Sequence, residues 1–148
     1  MKPLYLILGV LFIASATAAP TPPETGRCVE GQVTAVGDGD TLTVTAKYSF
    51  RVRLKDCWAP EIHGPQKPEG IKSFQNLQAI ALGRKCRVFI PEDAADIGQS
   101  TSLSRYIGEV WVNDINLSEE QVAKKFACKT KQECLAKYGP ARTENDEE

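Results

Sequence analysis

Residues 31–46, GQVTAVGDGDTLTVTA, decide the fold because they contain two strand patterns on either side of a glycine-rich acidic turn. Apolar side chains alternate with polar ones before and after this turn, at Val33, Ala35, Leu42 and Val44. A period of two is typical of strands with one buried face, and Gly-Asp-Gly-Asp is typical of a turn between strands. We therefore predict two strands that meet at a turn containing Asp38 and Asp40.

The segments that follow predict three more strands and two helices. Strand patterns occur at YSFRVRLKDCW (48–58), KCRVFIP (85–91) and RYIGEVWV (105–112), and helix patterns at IKSFQNLQAIALG (71–83) and NLSEEQVAKKFA (116–127). The resulting order, β-β-β-α-β-β-α, is that of a five-stranded OB-type barrel with one helix between strands three and four and a second after strand five. We classify the fold as mainly β with α (α+β).

The second helix has clear start signals. Ser118 is positioned to cap the helix, and Gln121 stands three residues later, where it completes a capping box. Leu117 is expected to pack on Val122 as a hydrophobic staple. The sequence thus predicts the N-cap at Ser118.

The N-terminal residues predict export. Lys2 precedes the apolar run LYLILGVLFIASA (4–16), and Ala16 and Ala18 occupy the small-residue positions of a cleavage site. The apolar run is shorter than the roughly 20 residues that a membrane-spanning helix needs, although an uncleaved anchor is the alternative. We expect a secreted or periplasmic protein with no stable membrane association once the signal is removed.

Four regions follow from these patterns in a chain of 148 residues, which is enough for one compact domain. They are a signal peptide (1–18), a proline-rich leader (19–27), a folded domain (28–127) and a cysteine-containing tail with an acidic, disordered C-terminus (128–148). The formal net charge of −1 does not indicate a nucleic-acid-binding protein, but a neutral total is compatible with a local basic cleft. We expect a monomer.

Export permits disulfides among the five cysteines. Cys128 and Cys134 enclose a short loop and are the best local pair, Cys28 and Cys86 are a candidate pair between strands, and Cys57 is then the odd thiol. The sequence leaves this connectivity open. Zinc is disfavoured, because the chain has no C-x-x-C motif and a single histidine.

Three short motifs carry residues suited to phosphodiester chemistry. The acidic turn offers oxygen ligands for a hard cation, although such turns are common without an ion. Arg53 can grip two phosphate oxygens and Glu61 can act as a general base, although the alternative is a surface salt bridge. Arg105 opens the fifth strand as a second phosphate ligand, or as a solvated side chain.

Taken together, three stretches of this sequence resemble the staphylococcal nuclease (thermonuclease) family. They are VTAVGDGDTLTV (33–44), RVRLKDCWAPEIHG (51–64) and LSRYIGEVWVNDINLSEEQVAKKFA (103–127), and the similarity runs from about Val29 to Phe126. This resemblance implies a calcium-dependent phosphodiesterase that cleaves DNA and RNA on an SNase-like OB-fold domain.

The resemblance also implies roles for individual residues. Asp40 matches a metal-ligating aspartate, Ala59 would offer its backbone carbonyl to the ion, and Asp38 would hold a metal-bound water. The catalytic residues implied in the same way are Arg53, Glu61 and Arg105, with Glu61 activating water and the two arginines binding the phosphate.

The chain departs from the family at Trp58, which stands where a metal-ligating aspartate is usual. Indole has no acceptor, so Trp58 cannot ligate calcium. Asp56 is a candidate substitute ligand, because it lies two residues upstream on the same face of the strand. Trp58 itself either stacks on a base or packs against the domain.

These observations leave three functions to separate. The first is an exported metal-dependent nuclease, a hydrolase acting on DNA or RNA. The second is a catalytically impaired secreted OB-fold module that binds nucleic acid or protein, and the third is an exported module without a nucleic-acid role. The preference for DNA or RNA, and for single or double strands, is not determined by the sequence.

Overall fold

The computed structural model describes residues 21–22, 26–91, 101–102 and 105–141. The predicted signal peptide, most of the loop after strand four and the acidic C-terminus lie outside these described residues. Among the helices of the described residues, none is long and apolar enough to cross a membrane.

Seven strands and four helical segments make up the described chain. The strands are β1 (Arg27–Val36), β2 (Thr41–Thr45), β3 (Ser49–Leu54), β4 (Lys85–Ile90), β5 (Thr101–Ser102), β6 (Arg105–Val112) and β7 (Ile115–Asn116). A short 3-10 helix (Gly64–Gln66) leads into α1 (Lys67–Ala81), and α2 (Leu117–Ala123) and α3 (Lys131–Tyr138) follow the last strand. The predicted order of the five long strands and of the first two helices is confirmed.

The strands form one mainly antiparallel sheet that closes into a ring. β1 pairs with β2 and β4, β2 pairs with β3, and β4 pairs with β6, all antiparallel. A parallel pairing of β3 with β6 closes the ring, and β5 and β7 add two-residue strands to β6. The α+β class is therefore confirmed.

The core lies inside this ring and beneath α1. Every long strand contributes fully buried apolar side chains, among them Val33, Leu42, Val44, Val52, Val88 and Val110. Leu77 and Ala81 of α1 cover one end of the interior and are equally inaccessible to solvent. Burying a side chain of this size stabilises the fold by about 1.5–3 kcal/mol, so the alternating pattern fixes which strand faces point inward.

The predicted cap of α2 is wrong by two residues. Asn116 is the N-cap, because its side chain accepts hydrogen bonds from the backbone N–H groups of Ser118 and Glu119. Ser118 lies inside the helix, and its hydroxyl is buried without a hydrogen-bond partner in the described part of the chain. Asn caps as well as Ser does, so the earlier residue starts the helix.

Residues 128–141 pack against the ring. Cys128 forms an isolated antiparallel bridge with Trp58, in which Trp58 N–H donates to Cys128 at 2.8 Å and Cys128 N–H donates back at 2.9 Å. Further along, Thr130 caps α3, and the Gln66 side chain donates to the carbonyl of Gly139. This segment, which the sequence suggested was a tail, therefore braces the loop that follows β3.

All five cysteines have free thiols in the structure, and the register excludes one predicted pair. Cys28 lies opposite Phe89 in the β1–β4 ladder, whereas Cys86 lies opposite Gly31, three residues away along the strand. That offset is about 10 Å, beyond the reach of a disulfide, and Cys28 is exposed whereas Cys86 is buried. The Cys28–Cys86 pairing is wrong, but Cys128 lies close enough to Cys134 to raise the pKa of that thiol, after the larger effect of burial.

Candidate functional site

The acidic turn between β1 and β2 is held tightly against the rest of the domain. Asp40 N–H donates to Asp38 Oδ1 at 3.1 Å, and Gly37 N–H donates to the Thr41 carbonyl at 2.8 Å. A Cβ on Gly39 would lie 1.9 Å from Ser73 Oγ. Only glycine therefore allows the turn to approach α1 this closely, which fixes the position of the neighbouring carboxylates.

Asp40 is buried at the end of this turn, and both of its carboxylate oxygens are hydrogen-bonded. Oδ2 accepts the backbone N–H of Ala59 at 3.0 Å, and Oδ1 accepts the Thr41 hydroxyl at 3.0 Å. Arg53 Nη2 lies 3.8 Å from Oδ2, with the two side chains only 17% and 9% exposed. The carboxylate thus joins the turn, strand β3 and the loop after β3.

Burial sets the charge of this group. Burial, and after it the nearby charge of Asp38, raises the pKa of Asp40, which is about 7 once all of its neighbours are included. Three groups act in the opposite direction on this pKa: the Ala59 N–H, the Arg53 guanidinium and the Thr41 hydroxyl. The buried carboxyl therefore changes its protonation near neutral pH, well above the ordinary range of an aspartate.

The ring of Trp58 covers one face of the Arg53 side chain. Its guanidinium carbon lies 3.9 Å from the centre of the Trp58 ring, a close cation–π contact. The Trp58 backbone is held in turn by the bridge to Cys128. Trp58 is therefore a packing partner of Arg53, and this contact explains its place beside the site.

Arg105 reaches the same group of residues from β6. Its Nη1 donates to Thr41 Oγ1 at 3.0 Å, and that hydroxyl donates to Asp40. The parallel register places Arg53 opposite Ile107, two residues from Arg105 on the same strand face. The structure thus brings three predicted site residues together, and we call Asp40, Arg53 and Arg105 the Asp40 cluster.

Glu61 lies in the loop after β3, close in sequence to a backbone contact of the cluster. It is exposed, and it follows Ala59, whose N–H binds Asp40, by two residues. Its own N–H donates to Gln66 Oε1 at 2.9 Å, and a Cβ on Gly70 would lie 2.1 Å from its carbonyl oxygen. The backbone of Glu61 is therefore fixed against α1 while its carboxylate faces solvent.

Asp56 is placed elsewhere. The backbone turns there with a positive φ of 50°, and the exposed residue lines a surface depression with Glu109, Ser118 and Thr130. None of the residues lining that depression belongs to the Asp40 cluster. The structure therefore does not bring the proposed substitute ligand to Asp40.

The donors at the Asp40 cluster fit a calcium ion poorly. Calcium takes six to eight oxygen ligands, whereas the groups here are one buried carboxylate with both oxygens engaged, the nearby Asp38 and the Ala59 backbone. Within residues 26–91 and 105–141, no three acidic, cysteine or histidine side chains converge on a common point that suits a metal. A guanidinium already accompanies the carboxylate at 3.8 Å.

Gln121 holds the acidic turn in place, a role that differs from the predicted capping box. The side chain is fully buried, and its Nε2 donates to the Gly39 carbonyl at 2.7 Å and to the carbonyl and hydroxyl of Ser73 at 3.2 Å. Asn76 donates to its Oε1. Gln121 follows Leu117 by four residues, about one turn of α2, so the two side chains share a helix face. A polar residue on this apolar face is the sequence signal that identifies Gln121.

Cys57 lies beside the cluster as a buried thiol, as the sequence suggested. Burial raises its pKa, and the nearby carboxylate of Asp40 raises it further. The thiol is therefore uncharged at neutral pH and behaves as a small apolar side chain.

Comparison with known proteins leaves the site to be interpreted from its own geometry. No protein-family model matches the sequence, and no curated protein shows significant similarity to it. The interpretation of the Asp40 cluster therefore depends on its residues and on the three motifs that contain them.

Proposed function

We propose that the protein binds nucleic-acid phosphodiesters at the Asp40 cluster and hydrolyses them. The supporting observation is that Arg53 and Arg105, from different strands, are both tied to one buried carboxylate, Arg53 directly and Arg105 through the Thr41 hydroxyl. Two guanidiniums on neighbouring strands of one sheet are suited to the negative oxygens of a phosphodiester. We also propose that the ring of strands is an OB-type barrel.

The proposed reaction assigns one role to each side chain. Arg53 and Arg105 bind the non-bridging phosphate oxygens and oppose the charge that grows there in the transition state. Glu61 accepts a proton from water, the water oxygen bonds to phosphorus, and the P–O5′ bond breaks with Arg105 beside the departing oxygen. The departing oxygen takes up a proton from solvent and becomes the 5′-hydroxyl. The family resemblance implies a calcium cofactor. The reaction proposed here has no step that uses the ion, because the donors at the site fit calcium poorly.

Glu61→Gln tests this assignment directly. The amide keeps the shape of the side chain but cannot accept the proton, so we expect binding to persist and turnover to fall by roughly 10²–10⁴-fold. Purified protein is incubated with plasmid and with single-stranded DNA or RNA, in calcium and in chelator, and degradation is followed on gels.

Glu69→Gln is the matched control, because Glu69 is an exposed carboxylate on α1 that pairs with Lys72 on the helix surface. This variant should degrade substrate at the rate of the unmodified protein. Undiminished hydrolysis by the Glu61→Gln protein would refute the general-base role.

The contact between Trp58 and Arg53 favours a second function, which is binding of nucleic acid without hydrolysis. The Trp58 ring occupies one face of the guanidinium, and the oxygens of Asp40 are engaged internally, an arrangement that suits binding without turnover. A shift of labelled nucleic acid in gels without degradation would select this binding module over the nuclease.

The proposal also keeps the predicted setting. The protein would act in a secreted or periplasmic form as a monomer, on DNA or RNA. Mass measurement of the exported chain tests cleavage after Ala18, and light scattering tests the monomer.

A further inference from the structure

We propose that the Arg53 guanidinium, held in place by Trp58, is the built-in cation of this site, so that phosphodiester binding at the Asp40 cluster needs no metal ion. The inference rests on the proposed function and deepens it, because it replaces the divalent cation that the family resemblance implies with a side chain of this chain. Trp58 is then a positioning residue that acts through Arg53.

The first supporting observation is the position of the guanidinium between two groups that favour positive charge. One face lies 3.9 Å from the centre of the Trp58 ring, whose π electrons attract a cation. One edge lies 3.8 Å from the carboxylate oxygen of Asp40. With the Arg53 side chain only 17% exposed, this charge is held near the site, and little of it is screened by solvent.

The second observation is that the backbones of both partners are fixed. Arg53 is paired on both sides, with Thr41 of β2 and with Ile107 of β6. Trp58 exchanges two hydrogen bonds with Cys128, of 2.8 and 2.9 Å. Neither side chain therefore needs backbone rearrangement to keep the contact, which is the condition for a preorganised charge.

The third observation is that a divalent cation would compete with Arg53 for the same carboxylate. The side chain of Trp58 carries no oxygen acceptor, its backbone carbonyl accepts the Cys128 N–H, and the carboxylate of Asp56 lines a separate depression. An ion bound to Asp40 would also lie close to the guanidinium, and two positive groups at that distance repel each other. The site therefore fits calcium poorly for two physical reasons, which are the missing oxygen ligands and the repulsion by the Arg53 guanidinium.

Metal binding by the unmodified protein is the first test. Calcium is titrated calorimetrically, terbium luminescence is used as a second probe, and melting is compared in calcium and in chelator. We expect no saturable binding tighter than about 10⁻³ M and no melting shift. Saturable, tighter binding of calcium that Asp40→Asn removes would overturn the proposal, whatever the protein does to nucleic acid.

Trp58→Asp extends this test, since it restores a carboxylate at the family's ligand position and removes the ring that holds Arg53. We expect this variant to gain calcium binding at roughly 10⁻⁴–10⁻³ M. If the Trp58→Asp protein does not fold, the calcium titration of the unmodified protein still decides the question.

Trp58→Leu and Trp58→Phe form the second test, in chelator, with a fluorescent single-stranded oligodeoxynucleotide as the probe. Leucine loses the π face and should weaken binding by about tenfold, whereas phenylalanine keeps it and should stay within about threefold of the unmodified protein. Melting curves of each variant control for folding. Equal binding by the leucine and phenylalanine variants would overturn the positioning role of Trp58.

The two proposals fail differently. If no variant, and not even the unmodified protein, binds the oligodeoxynucleotide, the proposed function fails, while the metal titrations still report on the cation. If binding by the unmodified protein is abolished by chelator and restored by calcium, the proposed function stands and the built-in cation is refuted.

Discussion

The Asp40 cluster has two sides that are built differently. On the strand side, Arg53 lies within β3 and Arg105 begins β6, where ladder pairings hold their backbones. Asp40 lies in the turn just before β2, and its carbonyl accepts the Leu54 N–H at 2.8 Å. On the loop side, Trp58 and the loop from residue 59 to residue 66 are held by single contacts with distant parts of the chain. One site can thus depend on local sequence pattern for its charged residues and on long-range contacts for the residues that cover them.

The loop side has three separate anchors. The Trp58–Cys128 bridge holds its beginning, and the Ala59 N–H on Asp40 holds the next residue. The Gln66 side chain, which accepts from the N–H of Glu61 and donates to the Gly139 carbonyl, holds its end. Each anchor is one or two hydrogen bonds, so the loop side is expected to open before the ring does.

The largest expected effect comes from Gln121→Ala, which removes the residue that ties α2 to the acidic turn. The change leaves the buried carbonyl of Gly39 without this donor, removes the contacts with Ser73 and opens a cavity, so the free energy of unfolding should fall by about 3 kcal/mol. Urea unfolding followed by circular dichroism measures this loss.

Gln75→Ala is the control for that substitution, because Gln75 is exposed on α1. Its effect should stay within about 0.5 kcal/mol. Equal losses for the two variants would mean that the Gln121 network contributes little, and that the strand ladders alone hold the acidic turn.

The strand side could be predicted from the sequence for a physical reason. Alternation of apolar residues at Val33, Leu42 and Val44 reports burial of one face, and burial contributes most of the stability of a strand. The prediction is wrong at Ala35, which is exposed because the pairing of β1 with β2 shifts register between Val33 and Ala35. The positions of Asp40, Arg53 and Arg105 then follow from the ladder register.

The loop side could not be predicted in the same way. Nothing near Trp58 in the sequence identifies Cys128 as its partner, because an isolated bridge leaves no periodic pattern. The two-residue spacing predicts that Asp56 shares a strand face with Trp58, but β3 ends at Leu54 and the chain turns at Asp56 with positive φ. A two-residue period has no meaning beyond the end of the strand.

Gln121 shows that one residue can match two patterns. Its spacing from Ser118 matches a capping box, yet the side chain points into the domain and bonds to Gly39 and Ser73. A local motif and a buried polar network compete for the same side chain, and the buried carbonyls win because leaving them unpaired costs more.

The intermediate expected effect concerns the loop side, where Cys128 and Cys134 are neighbours. Oxidation to a disulfide closes a short loop and should raise the free energy of unfolding by about 2 kcal/mol in the chain-entropy model. Melting is compared with and without reductant, and alkylation with mass spectrometry identifies the bonded cysteines.

Cys134→Ser supplies the control, since it leaves Cys128 and Cys57 intact and should remove the response to reductant. A disulfide between Cys57 and Cys128 in the oxidised protein would contradict the predicted pair, and it would tie the loop side directly to the end of β3.

The smallest expected effect is the pH dependence of the strand side. The pKa of Asp40 is about 7 in the folded protein and 3.8 as the ordinary value, so between about pH 4 and pH 7 the folded state holds a proton that the unfolded state has released. Stability from this group is therefore complete below about pH 4 and is lost as the pH rises through 7. Asp40→Asn should remove this dependence, and it should raise the free energy of unfolding at pH 8 because a neutral amide carries no buried charge. The rise should be only about 1 kcal/mol, because the amide also loses the attraction of the Arg53 guanidinium.

Unfolding curves of the unmodified protein and of Asp40→Asn from pH 4 to pH 8 decide this prediction, with Asp114→Asn as the control. Asp114 is exposed and pairs with Arg87 on the surface, so its variant should keep the pH profile of the unmodified protein. If Asp40→Asn instead keeps the decline between pH 4 and pH 7, the decline belongs to other groups and Asp40 is ionised throughout. The carboxylate would then be a permanent charge that Arg53 balances, and the loop side, which supplies the Ala59 N–H and the Trp58 ring, would be what keeps that charge stable inside the domain.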